Sequence, residues 1–239
     1  MDRFNVLKEY YIRYLREVRE NSESTVNHYL GALNSISKYL VDHAQIQETI
    51  YEIGELEELE SVRSYLFSQP DFVEKDDRGN RMYSAGLNNY VRFAMGEDFF
   101  GIDSVFAVMD MEVPISSQTS AKVERWRRNG IIKTQSIEMA HYLCELDSNH
   151  KTFTAASTGR QYMEGHHAIP IKRQNQFSVS LDIYANIVCL CPICHRLLHY
   201  GVDTEKEGIL NRLYKGRSDR LANSGIRLSR DEFIEKAKA

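Results

Sequence analysis

Cys191-Pro192-Ile193-Cys194 sets two thiols three residues apart, a knuckle whose sulfurs can reach one tetrahedral zinc ion at about 2.3 Å. Two more ligands are needed to close such a site. Cys144 is the one cysteine outside the run 189–194, and His150 lies six residues after it. Cys144, His150, Cys191 and Cys194 would together make a closed, structural Cys3His site. His150 is its least constrained member, because the first pair lacks a second cysteine; the alternative is that Cys144 and His150 are an ordinary core residue and loop residue. Cys189, inside the apolar run Ile187-Val188-Cys189-Leu190, reads as a buried small hydrophobe.

Four of the eight histidines lie beside these cysteines, as His166, His167, His195 and His199. If the segment from Pro192 to Tyr200 is helical, His195 and His199 are one turn apart and share a face, as two ligands of one metal require. Cys194 is turned from His195 by about 100° on such a helix, so one short helix can bind zinc on one side and do chemistry on the other. His166 and His167 sit in a strand-like context, where neighbouring side chains point to opposite faces. One can hold a metal while the other addresses a substrate.

The order Glu164-x-His166-His167-x-x-Pro170, Asn186, Cys191-Pro192-x-Cys194-His195-x-x-x-His199 resembles the HNH endonucleases, whose ββα-metal fold is shared by colicin-type DNases and modified-cytosine-dependent restriction enzymes. The resemblance covers about residues 142–202. It implies that His167 is the general base that deprotonates a water and that His166 is a metal ligand. It implies that Asn186 fixes the loop and orients the base through a backbone hydrogen bond. His195 would be a second ligand of the catalytic metal, and His199 either a third ligand or a phosphate contact. The implied reaction is single-metal phosphodiester hydrolysis, with a neutral imidazole as base near pH 7 and Mg²⁺, Mn²⁺, Ni²⁺ or Zn²⁺ as the ion. Arg160, Lys172, Arg173 and Arg196 are candidate phosphate contacts.

The elements that must position these groups are mostly helical. Apolar residues recur at helical spacing from Asp2 to about Glu20 and, after the serine caps Ser22 and Ser24, from Val26 to about Asp42. Shorter helices are expected over Glu57–Phe67 and Tyr83–Met95, separated by the polar, turn-rich stretch 74–80. Further helices are expected over Ala121–Arg128, with Lys122, Arg125, Arg127 and Arg128 around Trp126, and over Thr134–Cys144, Thr204–Tyr214 and Arg230–Lys238. The last opens on the capping box Ser229-x-x-Glu232.

Charge divides the chain. Of its 239 residues, the first 120 carry 11 Lys and Arg against 21 Asp and Glu, and the rest carry 19 against 13. An acidic half repels nucleic acid and a basic half attracts it, so a polyanion should dock on the carboxy-terminal half. The sign changes within Phe99–Thr119, which contains Gly101, Pro114 and the polar run Ser116-Ser117-Gln118-Thr119, and the boundary is placed near 113–120. The expected organisation is therefore an acidic helical bundle over 1–115, serving recognition, a protein partner or dimerisation, and a basic nuclease domain over 116–239 with its core at 142–202. The fold class is mainly α with a small α+β part. Hydrophobic residues at 42% and charged residues at 27% exclude a disordered chain. No apolar run approaches the roughly 18 residues of a membrane span, and Met1-Asp2-Arg3-Phe4-Asn5 does not open a signal peptide, which suggests a cytoplasmic protein. The expected activity is DNA cleavage in restriction or antiviral defence, with DNA as partner and a homodimer to cut both strands. The competing class is a catalytically silent, zinc-stabilised nucleic-acid-binding module. An amide-hydrolysing zinc enzyme fits less well, since no His-Glu-x-x-His helix is present.

Overall fold

The computed structural model describes residues 5–99, 109–114 and 128–238, and the chain divides into two compact units, Met1–Asp98 with Asn129–Ile131 and Phe99–Arg128 with Ile132–Ala239. The division falls upstream of the 113–120 limit suggested by charge. Arg220 pairs with both carboxylate oxygens of Asp110 at 2.6 and 2.8 Å, and Ser180 N–H donates to Val113 O at 2.6 Å, so residues 109–114 are bonded into the second unit.

The first unit is a helical bundle. Asn5 caps α1 (Val6–Arg13), which widens into a π-helical turn at Tyr14–Val18 where Arg19 N–H reaches back to Tyr14 O. Ser22 accepts from Thr25 N–H and opens α2 (Glu23–Asp42), whose buried Val26, Leu33, Ile36 and Leu40 follow the expected stripe. α3 (Leu56–Ser68) and α5 (Met82–Met95) lie within two residues of their sequence limits. Helices α2 and α5 approach closely at Gly86, where a Cβ would sit 2.8 Å from that of Ala32. Around them Tyr10, Tyr11, Tyr14, Tyr90 and Phe93 form a buried aromatic core.

The stretch expected as a turn is instead a helix, α4 (Pro70–Arg78). Pro70 pre-sets the first helical φ, Asp71 sits at the positive end of the helix dipole, and Arg78 pairs with Glu74 one turn back. The turn falls later, where Asn80 and Arg81 adopt positive φ.

α6 (Gly130–Met139), which belongs to the second unit from Ile132 onward, ends before Cys144, not at it; His141 and Tyr142 both take φ of 54° and turn the chain out of the helix. β1 (Glu164–His167) and β2 (Ile187–Leu190) form an antiparallel pair in which His166 faces Val188 and His167 faces Ile187. α7 (Pro192–Tyr200) follows β2 directly, with Pro192 at its first position and the Cys191 sulfur accepting from Cys194 N–H. α8 (Asp203–Asn223) runs nine residues past its expected end at Tyr214, because Arg217 and Leu221 are buried against the rest of the unit. α9 (Arg230–Ala237) carries the expected capping box. The helix expected over 121–128 lies outside the described residues except for Arg128. The architecture is mainly helical with, among the described residues, one two-stranded sheet, as the fold class required.

Candidate metal centres

The turn after α6, the end of β2 and the first turn of α7 bring Cys144, His150, Cys191 and Cys194 together, with their ligand atoms all within 4.8 Å of one another. His150 Nδ1 stands 3.5 Å from Cys191 Sγ and 3.4 Å from Cys194 Sγ. Edges of about 3.6 Å are what a tetrahedron with Zn–S near 2.3 Å and Zn–N near 2.05 Å requires. The other ring nitrogen of His150 faces Asp147 Oδ2 at 3.7 Å, leaving Nδ1 directed at the sulfurs. Electrostatics fit a cation as well. Burial and the neighbouring sulfurs push the Cys194 thiol well above its ordinary value. At Cys144 burial also raises the pKa, but hydrogen bonds from the N–H groups of Cys191, Leu146 and Asp147 outweigh it and bring the thiol down to about 7. Packed thiols that oppose one another's ionisation are a site that a Zn²⁺ charge satisfies, so these four residues can hold zinc. Cys189 is fully buried and outside the cage, and burial raises its pKa, as expected of a small hydrophobe.

On the other side of α7 a second cluster gathers His166, His195 and His199, again with ligand atoms within 4.8 Å. His195 and His199 place their Nε2 atoms 3.2 Å apart, and the His166 ring lies 4.9 and 5.0 Å from theirs between centroids. The three rings meet edge to face, converging on one point instead of stacking. Glu164 accepts from His195 Nδ1, which leaves Nε2 free to face its neighbours. Burial first, then the nearby His195, His199 and His167, push the His166 pKa down to about 3, and His199 is lowered for similar reasons. Neutral imidazoles are the form that ligates a metal.

His167, next along β1, stays outside this cluster. Its Nε2 lies 2.8 Å from Asp182 Oδ1. Asn186 is fully buried: its Oδ1 accepts from Ile169 N–H at 2.8 Å, and its Nδ2 donates to Ile169 O at 2.9 Å and to Leu181 O at 2.8 Å. Its backbone carbonyl accepts from Ala168 N–H at 2.8 Å. The Asn186 side chain thus ties the loop to the end of β1, while the His167 imidazole bonds to Asp182.

Of the four candidate phosphate contacts, Arg160, Lys172 and Arg196 are exposed. The Arg196 guanidinium lies over the Tyr200 ring at 5.9 Å, one turn along α7. Arg173 is engaged differently: it donates to Glu235 O and Lys238 O at 3.3 and 3.1 Å, closing the carboxy-terminal end of α9.

Sequence reasoning gave no role to Glu164 or Asp182. Glu164 had a readable signal, since it lies two residues before His166 and so on the same face of a strand. Asp182 had none, because it sits in an irregular loop.

Residues 148–201 match the family model of the HNH endonucleases, which covers both clusters except Cys144. The chain is also similar to the type IV methyl-directed restriction enzyme EcoKMcrA of Escherichia coli (strain K12), at 30% identity over 105 residues, 42% of this chain and 35% of that enzyme. The match therefore spans about a third of that relative's length.

Proposed function

We propose that this protein is a metal-dependent DNA endonuclease acting in restriction or antiviral defence. The observation that carries the reading is the convergence of His166, His195 and His199 beside His167, on the segment matched by the HNH family. His167 takes the proton of a water whose oxygen adds to phosphorus, the P–O3′ bond breaks in line, and the 3′ oxygen leaves as a hydroxyl after protonation. His166, His195 and His199 would hold Mg²⁺, Mn²⁺, Ni²⁺ or Zn²⁺, which when bound supplies positive charge to the phosphate and the leaving oxygen. Asn186 holds the β1 and β2 ends in register so that His167 keeps its place. Arg160, Lys172 and Arg196 contact phosphates of the duplex. The cage of Cys144, His150, Cys191 and Cys194 takes a structural zinc.

Residues 1–115 serve recognition of DNA or a regulatory protein, or dimerisation, and 116–239 cut. Similarity to a methyl-directed enzyme favours modified DNA as the substrate. No helix among the described residues is long and apolar enough to cross a membrane; the proposed substrate, from the sequence reading, is cytoplasmic DNA.

The test is incubation of the protein with supercoiled plasmid, unmodified and cytosine-methylated, in Mg²⁺, Mn²⁺ or Ni²⁺, beside His167→Ala. Nicking or linearisation that needs the metal and is lost in the variant is the expected result. DNA binding without cleavage on every substrate would overturn it in favour of the silent binding module.

A further inference from the structure

Asp182 is placed with unusual care for a loop residue. The residue before it is held from both sides by buried amides: Leu181 N–H donates to Gln174 Oε1 at 2.7 Å, and Leu181 O accepts from Asn186 Nδ2 at 2.8 Å. Gln174 is anchored in turn by donating to Val179 O at 2.7 Å. Asp182 N–H itself donates to Ser180 Oγ at 3.1 Å. The same Asn186 amide grips Ile169, two residues after His167. One buried side chain therefore fixes the backbone on both sides of the His167–Asp182 pair. The side chains of the pair are 15% and 11% exposed, sheltered from competing water but open to the surface.

A carboxylate only accepts hydrogen bonds, so a bond of 2.8 Å from imidazole Nε2 to Asp182 puts a proton on Nε2 and, in the neutral imidazole, leaves the lone pair on Nδ1. We propose that Asp182 is a positioning residue that fixes the tautomer and ring orientation of His167, so that Nδ1 is the nitrogen that receives the proton from water. This rests on the endonuclease reading of the site. Asp182 does not belong to the three-histidine cluster, so among the described residues it acts through His167 and not through the metal.

Two readouts test it on the full-length, zinc-loaded protein. In cleavage kinetics, Asp182→Ala should lower kcat about ten- to a hundredfold with KM within about twofold, and Asp182→Asn, which keeps an acceptor oxygen, should fall between. Because Asp182 works through His167, adding Asp182→Ala to His167→Ala should cost nothing further. In nitrogen-15 spectra, the histidine signal lost in His167→Ala should show the Nε2-protonated tautomer in the wild type and shift toward a mixture in Asp182→Ala. Undiminished kcat in Asp182→Ala, an equal loss in the His167→Ala background, or an Nδ1-protonated His167 in the wild type would each overturn the proposal. The two readings fail separately: a wild type that cuts no DNA removes the nuclease, while the tautomer still decides whether Asp182 sets His167.

Discussion

The side chain of Asn186 closes a two-bond ring on the backbone of Ile169, its Oδ1 accepting from Ile169 N–H and its Nδ2 donating to Ile169 O. A third bond to Leu181 O makes this one amide the clasp between the end of β1 and the loop before β2. Asn186→Ala would leave three buried backbone groups without partners, and at about 1 kcal/mol each the expected loss is about 3 kcal/mol. Urea unfolding of the zinc-loaded protein measures it; a change below about 1 kcal/mol would mean that the loop holds without the clasp.

Removing the zinc cage should unfold the region around it. Strand β2 and helix α7 both abut the cage, and a structural zinc contributes folding free energy directly. Expected are one zinc per chain released on thiol modification, and loss of bound zinc with a drop in helical circular dichroism in Cys191→Ser and Cys194→Ser. Cys189→Ser should keep its zinc, since Cys189 lies outside the cage.

The three-histidine cluster makes a different prediction, because on the proposed reading the metal it would hold serves the chemistry. His195→Ala and His199→Ala should retain the cage zinc and the fold but need about ten- to a hundredfold more divalent ion for half-maximal cleavage. Titration calorimetry with Mn²⁺ on the same variants checks the affinity directly. Glu164→Gln should weaken metal binding through His195, whose Nδ1 it holds.

Glu145 and Arg217 form a further link, in which the arginine is buried and the glutamate partly exposed. Arg217 donates to the Glu145 carboxylate and to Tyr184 O and Ala185 O, while the other Glu145 oxygen accepts from Cys189 N–H. Glu145→Ala would leave a buried guanidinium without its counter-charge, for an expected cost of about 3 to 5 kcal/mol. Replacing both, as Glu145→Leu with Arg217→Met, should cost less than Glu145→Ala alone. Thermal unfolding of the single and double variants decides this.

The local features of the site were legible in the sequence because they are set by near neighbours along the chain. The Cys191–Cys194 knuckle depends on three-residue spacing, the His195–His199 pair on the helical repeat, and the alternation of His166 and His167 on the strand repeat. The same holds for Ser22 and Ser229, whose capping roles act within one turn. The misplaced ends were those where a distant partner overrides local preference. Helix α8 continues through Gly216 because Arg217 finds Glu145 and Arg220 finds Asp110, and α6 stops early because Cys144 must leave it to face Cys191 and Cys194.

By itself, the sequence determined which side chains could bind metals and which faces of α7 present them, since a helix or strand period fixes direction without reference to the rest of the fold. Only the tertiary structure decided which carboxylate each histidine would face. Asp182 reaches His167 across a loop held by Gln174 and Asn186, and Arg173 is drawn to the end of α9 and away from the surface role its charge suggested. Such pairings join residues far apart along the chain through irregular backbone. No periodicity encodes them, and they exist only once the buried amides have fixed both ends in space.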